Sequence, residues 1–181
     1  MHGGTLMNEL PQLASLLKSR NTIDHKIASL IGHPTQVQSV GEYIASVIFG
    51  ITLSELTTNK NSDGRFTRGP LQGHTVDVQW YPRREGILHL KTDPLPDYYL
   101  ILAGSKEATN LHTLSIPWVI EAVYLFESDE LLTALRERGV QIGKGTSITG
   151  PLWERAEIYP SQRNNRLALS QEEREMIALF R

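Results

Sequence analysis

The sequence predicts an α/β protein with a mixed central β-sheet flanked by helices and a helical N-terminal segment. Three observations predict it. Apolar residues recur at helical spacing through residue 50. Between 51 and 126 the period shortens to two or gives way to continuous apolar runs, as strands require. Helical spacing, with caps, returns after 127. Helices, then strands, then helices is the order of a sheet with helices packed on it, within one domain spanning 1–181.

Residues 7–19 read as a helix, with Leu13, Leu16 and Leu17 on one face. A second helix starts at Asn21 or Thr22, and Ile23, Ile27, Leu30 and Ile31 mark its apolar face. Gly32 and Pro34 stop it. A third starts at Ser39 and carries Val40, Ile44, Val47 and Ile48 to Gly50. Residues 57–74 are polar and rich in turn residues, and read as a loop with one short strand. Thr75 to Tyr81 alternates: Val76, Val78 and Trp80 take one face, Thr75, Asp77, Gln79 and Tyr81 the other. Gly86 to Leu90 is a further strand. Tyr98 to Ala103 and Trp118 to Phe126 are apolar runs suited to central strands. Ser128 caps a helix that ends at Gly139, and Pro151 opens a short one through Ile158. Ser170 and Glu173 form a capping box for the last helix.

Composition excludes several classes. Hydrophobic residues make up 40% of the chain and charged ones 21%, so a folded domain is expected, not a disordered one. Without cysteine there is neither a disulfide scaffold nor a thiolate zinc site. No apolar run reaches the roughly 20 residues of a membrane helix. A soluble, cytoplasmic protein with no membrane partner is the expectation. The net charge of −2 gives no global attraction to nucleic acid. There is no GxxxxGK[ST] loop, GxGxxG, GxSxG or HExxH motif.

The informative stretch is Asn61-Ser-Asp-Gly-Arg-Phe-Thr-Arg-Gly-Pro-Leu-Gln-Gly-His-Thr-Val-Asp-Val-Gln-Trp80. Gly69, Pro70 and Gly73 are turn residues between two extended segments. If 64–67 pairs with 75–81, Asp63 stands at the open end of a hairpin, near Asp77 on the facing strand. Two carboxylates at a sheet end suit Mg²⁺, which takes oxygen ligands and keeps several waters. Gln79, two residues on and on the same face, would position a water for attack on phosphate.

This arrangement resembles the core of the PD-(D/E)xK nuclease superfamily, in which a helix bearing a glutamate precedes a hairpin with an aspartate and then (D/E)-x-K. Glu42, in Gly41-Glu-Tyr-Ile-Ala-Ser46, matches the helix glutamate. Asp63 matches the first aspartate and Asp77 the second acid, while Gln79 falls where the lysine belongs. The resemblance spans roughly residues 39–103. Three departures stand out. The lysine is absent from position 79, no proline precedes Asp63, and 82–96 looks extended where the superfamily has a helix. Lys91 or Lys60 is a candidate migrated lysine. The chain also resembles a bacterial family of unknown function that shares Asp63-Gly-Arg-Phe66 and Glu121-Ala-Val-Tyr-Leu-Phe126.

The resemblance implies a restriction-endonuclease-like fold and a Mg²⁺-dependent DNA endonuclease of restriction or defence type. Glu42, Asp63, Asp77 and Gln79 would be catalytic, and Asp63 and Asp77 would hold the metal. Double-stranded DNA would be the partner, with a homodimer natural for cutting both strands. The alternative is a catalytically degenerate nuclease-fold module that binds DNA or a protein partner. Lys60, Arg65, Arg68, Arg83, Arg84 and Lys91 outnumber the acids around them and are candidate phosphate contacts. Each residue also has a plainer explanation. Ser39-x-x-Glu42 is a capping box, Asp63-Gly64 is a turn pair, and Asp77 with Gln79 is the polar face of a half-buried strand. The basic cluster equally suits a solvated loop face. Glu121, inside an apolar run, requires a partner or solvent.

Overall fold

The computed structural model describes residues 3–54, 63–106 and 115–181. The chain divides by its contacts into two compact units, Met1–Val40 and Gly41–Arg181. In the first, the two expected helices are one continuous helix, α1 (Gly3–Ile31). The reason is local. Ser19, Arg20, Asn21 and Thr22 include neither glycine nor proline, so nothing between the apolar segments interrupts the backbone ladder. Pro11 lies within α1 and removes one of its hydrogen bonds. Gly32, at φ +74°, ends the helix, and the Thr35 hydroxyl donates to the Asp24 carbonyl at 2.6 Å.

Helix α2 (Val37–Phe49) begins two residues before Ser39. Ser39 therefore lies inside the helix and is not its N-cap, which corrects the capping-box expectation for Glu42. From Gly41 onward the chain belongs to the second unit.

That unit is built on a six-stranded sheet. Its strands are β1 (Ile51–Leu53), β2 (Gly64–Phe66), β3 (Thr75–Tyr81), β5 (Tyr98–Ala103), β6 (Ala122–Glu127) and β8 (Glu157–Tyr159), adjacent in that order. Strands β3 and β5 run parallel and every other pair is antiparallel, so the sheet is mixed, as expected. Strands β4 (Ile87–Leu88) and β7 (Thr146–Ser147) form a separate two-stranded ribbon. Helices α3 (Ser128–Glu137), α4 (Gly150–Ala156) and α5 (Gln171–Ala178) complete the unit.

Several expected boundaries move. Strand β6 starts at Ala122, not Trp118, and Glu121 ahead of it is exposed, which answers how its charge is tolerated. Glu127, not Ser128, caps α3: its carboxylate accepts the Glu130 N–H at 2.9 Å. Helix α4 stops at Ala156 because 157–159 pairs with β6 instead. The Ser170–Glu173 capping box forms.

The hairpin forms as the turn residues predict, with Gly64 opposite Val76 and Arg65 opposite Thr75. Strand alternation then sorts β3. Trp80 faces α2, so closely that a Cβ on Gly41 would lie 2.8 Å from the Trp80 Cβ. On the other face Asp77, Gln79 and Tyr81 stand beside Tyr99, Ile101 and Ala103 of β5. The apolar part of that face is covered by Leu131, Leu132 and Leu135 of α3 and Leu152 and Trp153 of α4. The polar residues of β3 thus sit where an apolar core ends.

Candidate active site

Asp77 and Gln79 do not face water as a half-buried strand would have them; they are 2% and 8% exposed. Asp63, directly before β2, is 8% exposed. Burying carboxylates is costly unless they find partners, so the partners define the site.

The first partner is Lys91. It follows the β4 ribbon in sequence, and its ammonium is hydrogen-bonded to Asp77 Oδ1 and lies 3.7 Å from Asp63 Oδ1. One nitrogen thus spans both carboxylates. With a hydrogen bond of at most ~3 Å to one and 3.7 Å to the other, the two oxygens lie less than about 7 Å apart.

Gln79 holds the other side of Asp77. Its Nε2 donates to Asp77 Oδ2 at 2.7 Å and to the His89 carbonyl at 2.7 Å. Its Oε1 accepts from the Tyr81 hydroxyl, which in turn accepts the His89 N–H at 3.1 Å. The neighbours fix the amide's orientation. Both groups facing Nε2 are acceptors, and the Tyr81 hydroxyl, already accepting from His89, has its own proton to give. Tyr99 adds a second clamp. Its hydroxyl accepts the Lys91 N–H at 3.0 Å and donates to the Lys91 carbonyl at 2.8 Å. Two tyrosine hydroxyls and one amide therefore pin the backbone of residues 89–91 to the sheet, and this delivers Lys91 to the acids.

Charge sets the proton affinities. Burial raises the Asp63 carboxyl to about 6, and the Asp77 and Glu42 charges push the same way. Lys91 and the Val78 N–H, which donates to Asp63 Oδ2 at 2.9 Å, pull against that rise. For Lys91, burial works downward, but the hydrogen bond and charge of Asp77, with those of Asp63, hold the ammonium above its ordinary value. Burial pushes the Tyr99 hydroxyl up to about 12, so it stays a neutral donor and acceptor.

The structure thus gathers Glu42, Asp63, Asp77 and Gln79, and adds Lys91. Glu42 is half-buried on α2, near enough for its charge to act on Asp63. The remaining arginines of the basic cluster have local partners. Arg65 donates to the Gly73 carbonyl. Arg68 donates to the Ile48 carbonyl at 2.6 Å and pairs with Glu173 at 3.7 Å. Arg83 pairs with Glu85 at 3.7 Å. Arg84 donates to the Tyr124 hydroxyl and lies over the Tyr124 and Trp153 rings at 5.4 and 5.1 Å. Lys60 lies outside the described residues.

The donor set is compatible with Mg²⁺. Two carboxylates within about 7 Å of each other suit an ion that binds through one or two carboxylates and keeps its waters. Among the described residues no group of three or more His, Cys, Asp or Glu is placed to hold a metal, so any ion here would rest on that pair. Tyr81 and Tyr99 were not singled out from sequence. Tyr81 shares the strand face of Asp77 and Gln79 and was readable by alternation; Tyr99 becomes visible only through the β3–β5 register.

Among the described residues, no helix is long and apolar enough to cross a membrane. Comparison with known protein families and with curated proteins found no match.

Proposed function

We propose that the chain is a Mg²⁺-dependent DNA endonuclease of restriction or defence type, on a restriction-endonuclease-like fold, with Lys91 in place of the lysine that Gln79 replaces. One observation carries this reading: an ammonium from a distant segment reaches the two acids of the hairpin. Asp63 and Asp77 would hold the metal, which when bound supplies an activated water and a counter-charge for the phosphate. Lys91 places a positive charge where negative charge grows on the attacked phosphate. Gln79 does not orient a water in this scheme; both its N–H donors are engaged, and it aligns the Asp77 carboxylate. Burial, with the Asp77 and Glu42 charges behind it, makes an ionised Asp63 costly, and a bound cation would offset that cost.

A second reading has an observation of its own. Lys91 already stands between the two carboxylates, bonded to Asp77 and 3.7 Å from Asp63, so a protein cation occupies the place beside the acids. That favours a degenerate module that binds DNA or a protein.

The test is incubation of the full chain with plasmid and single-stranded DNA, with Mg²⁺ or Mn²⁺, beside Asp77→Ala and Lys91→Ala. Cleavage by the wild type and by neither variant is expected. Cleavage that survives Asp77→Ala would sink the site assignment. DNA retention without cleavage supports the second reading.

A further inference from the structure

We infer that α1 is a self-association helix that pairs antiparallel with α1 of a second copy of this chain. The helix is 29 residues long, about 43 Å at 1.5 Å per residue. Leu10, Leu13, Leu16 and Leu17 are between 46% and 64% exposed. Ile23 and Leu30, further along, are 56% and 75% exposed. Six large apolar side chains in water on one helix are more than scattered surface hydrophobics account for.

Their spacing is ordered. Positions 9, 13, 16, 20, 23, 27 and 30 alternate by four and three, the seam of a two-stranded coiled coil. Along this seam Leu13, Leu16, Ile23, Ile27 and Leu30 are apolar, and Glu9 and Arg20 are the two charged members. Leu10 and Leu17 fall together on one flank.

The charges choose the partner and its direction. In an antiparallel pair centred between Leu13 and Leu16, each Leu13 faces the partner's Leu16. The same register sets Glu9 opposite the partner's Arg20, and Arg20 opposite the partner's Glu9. The flanking Leu10 approaches the partner's Leu17. Both charged positions of the seam are thus matched, and twice over. A parallel, in-register pair would instead oppose Glu9 to Glu9 and Arg20 to Arg20, a like-charge penalty at two layers. Arg20 now pairs with Asp24 one turn on at 3.5 Å, a solvent-exposed contact of the kind that holds an arginine weakly. A second copy of α1 is therefore complementary to this face in polarity and charge from Glu9 to Arg20. The inference stands independently of any nuclease activity.

The test is sedimentation equilibrium of the full chain and of Glu9→Arg, Arg20→Glu and the double variant, with circular dichroism to confirm that each is folded. The wild type is expected to dimerise. Each single variant should weaken the dimer by about tenfold or more, since each opposes like charges twice at about 0.7 kcal/mol or more per contact. The double variant should restore it. A monomeric wild type at the highest soluble concentration overturns the inference. So does a dimer indifferent to the single substitutions, as a parallel pair would be, or single variants that the double does not rescue.

Discussion

Asp63→Asn separates the electrostatic cost of the site from its packing. The Asp63 carboxyl is 8% exposed, and burial, Asp77 and Glu42 lift it from an ordinary 3.8 to about 6. The folded protein therefore binds this proton more tightly than the unfolded chain does. Between those two values the folded state carries the extra proton, so stability falls as pH rises through the window. Below it both states are protonated and the cost vanishes. Above it the folded state bears the full cost of ionising a buried group, about 3 kcal/mol at 1.36 kcal/mol per pH unit. The substituted amide is uncharged throughout, and its oxygen still accepts the Val78 N–H bond that Asp63 accepts at 2.9 Å. Asp63→Asn should therefore match the wild type at about pH 4 and exceed its stability by up to about 3 kcal/mol at about pH 8. Urea midpoints across that range measure the gap. A gap that is flat with pH, or that widens toward acid, would refute the placement of Asp63 among buried like charges.

Lys91→Met removes the ammonium that spans both carboxylates, and its destabilisation should be larger at about pH 8 than at about pH 5, where Asp63 can take a proton instead; paired urea curves give the difference. Under the nuclease reading, Gln79→Lys in a Lys91→Ala background should return at least about tenfold of the lost cleavage, the equivalent of 1.4 kcal/mol, because the charge re-enters beside Asp77 from its own strand. Arg84→Ala should lower stability by about 1–2 kcal/mol through loss of its two ring contacts and its hydrogen bond, whereas exposed Arg65→Ala should leave the thermal midpoint nearly unchanged. Gly104→Ala would put a methyl group 1.9 Å from the Pro82 carbonyl oxygen, so it should cost about 3 kcal/mol or prevent folding, read by circular dichroism.

What the sequence revealed depended on range. Strand β3 was legible because seven alternating residues carry their own period, and the hairpin because Gly69, Pro70 and Gly73 mark a turn. Strands β1 and β8, at three residues each, are too short to show a period and exist through pairing with β2 and β6. Helix α1 reads from sequence as two helices because the five polar residues 18–22 separate Leu17 from Ile23, although no backbone breaker lies there. The start of α2 at Val37 removed the local explanation for Glu42, since a capping box needs Ser39 outside the helix.

The lysine of the site was legible only as a candidate, and the reason is geometric. A (D/E)-x-K motif works because residues two apart on a strand share a face, so sequence alone places the lysine beside the acid. Lys91 reaches Asp77 from fourteen residues away through a backbone held by Tyr81, Tyr99 and Gln79, none of which is itself charged. Under the nuclease reading Gln79 takes the motif position, yet what it supplies there is a rigid attachment for the segment that carries the charge. Substituting lysine at 79 alone would set two ammonium groups on one buried carboxylate and release the His89 carbonyl from its donor. Glutamine at 79 and lysine at 91 are therefore best understood as a coupled pair, each residue suited to the site because of the other.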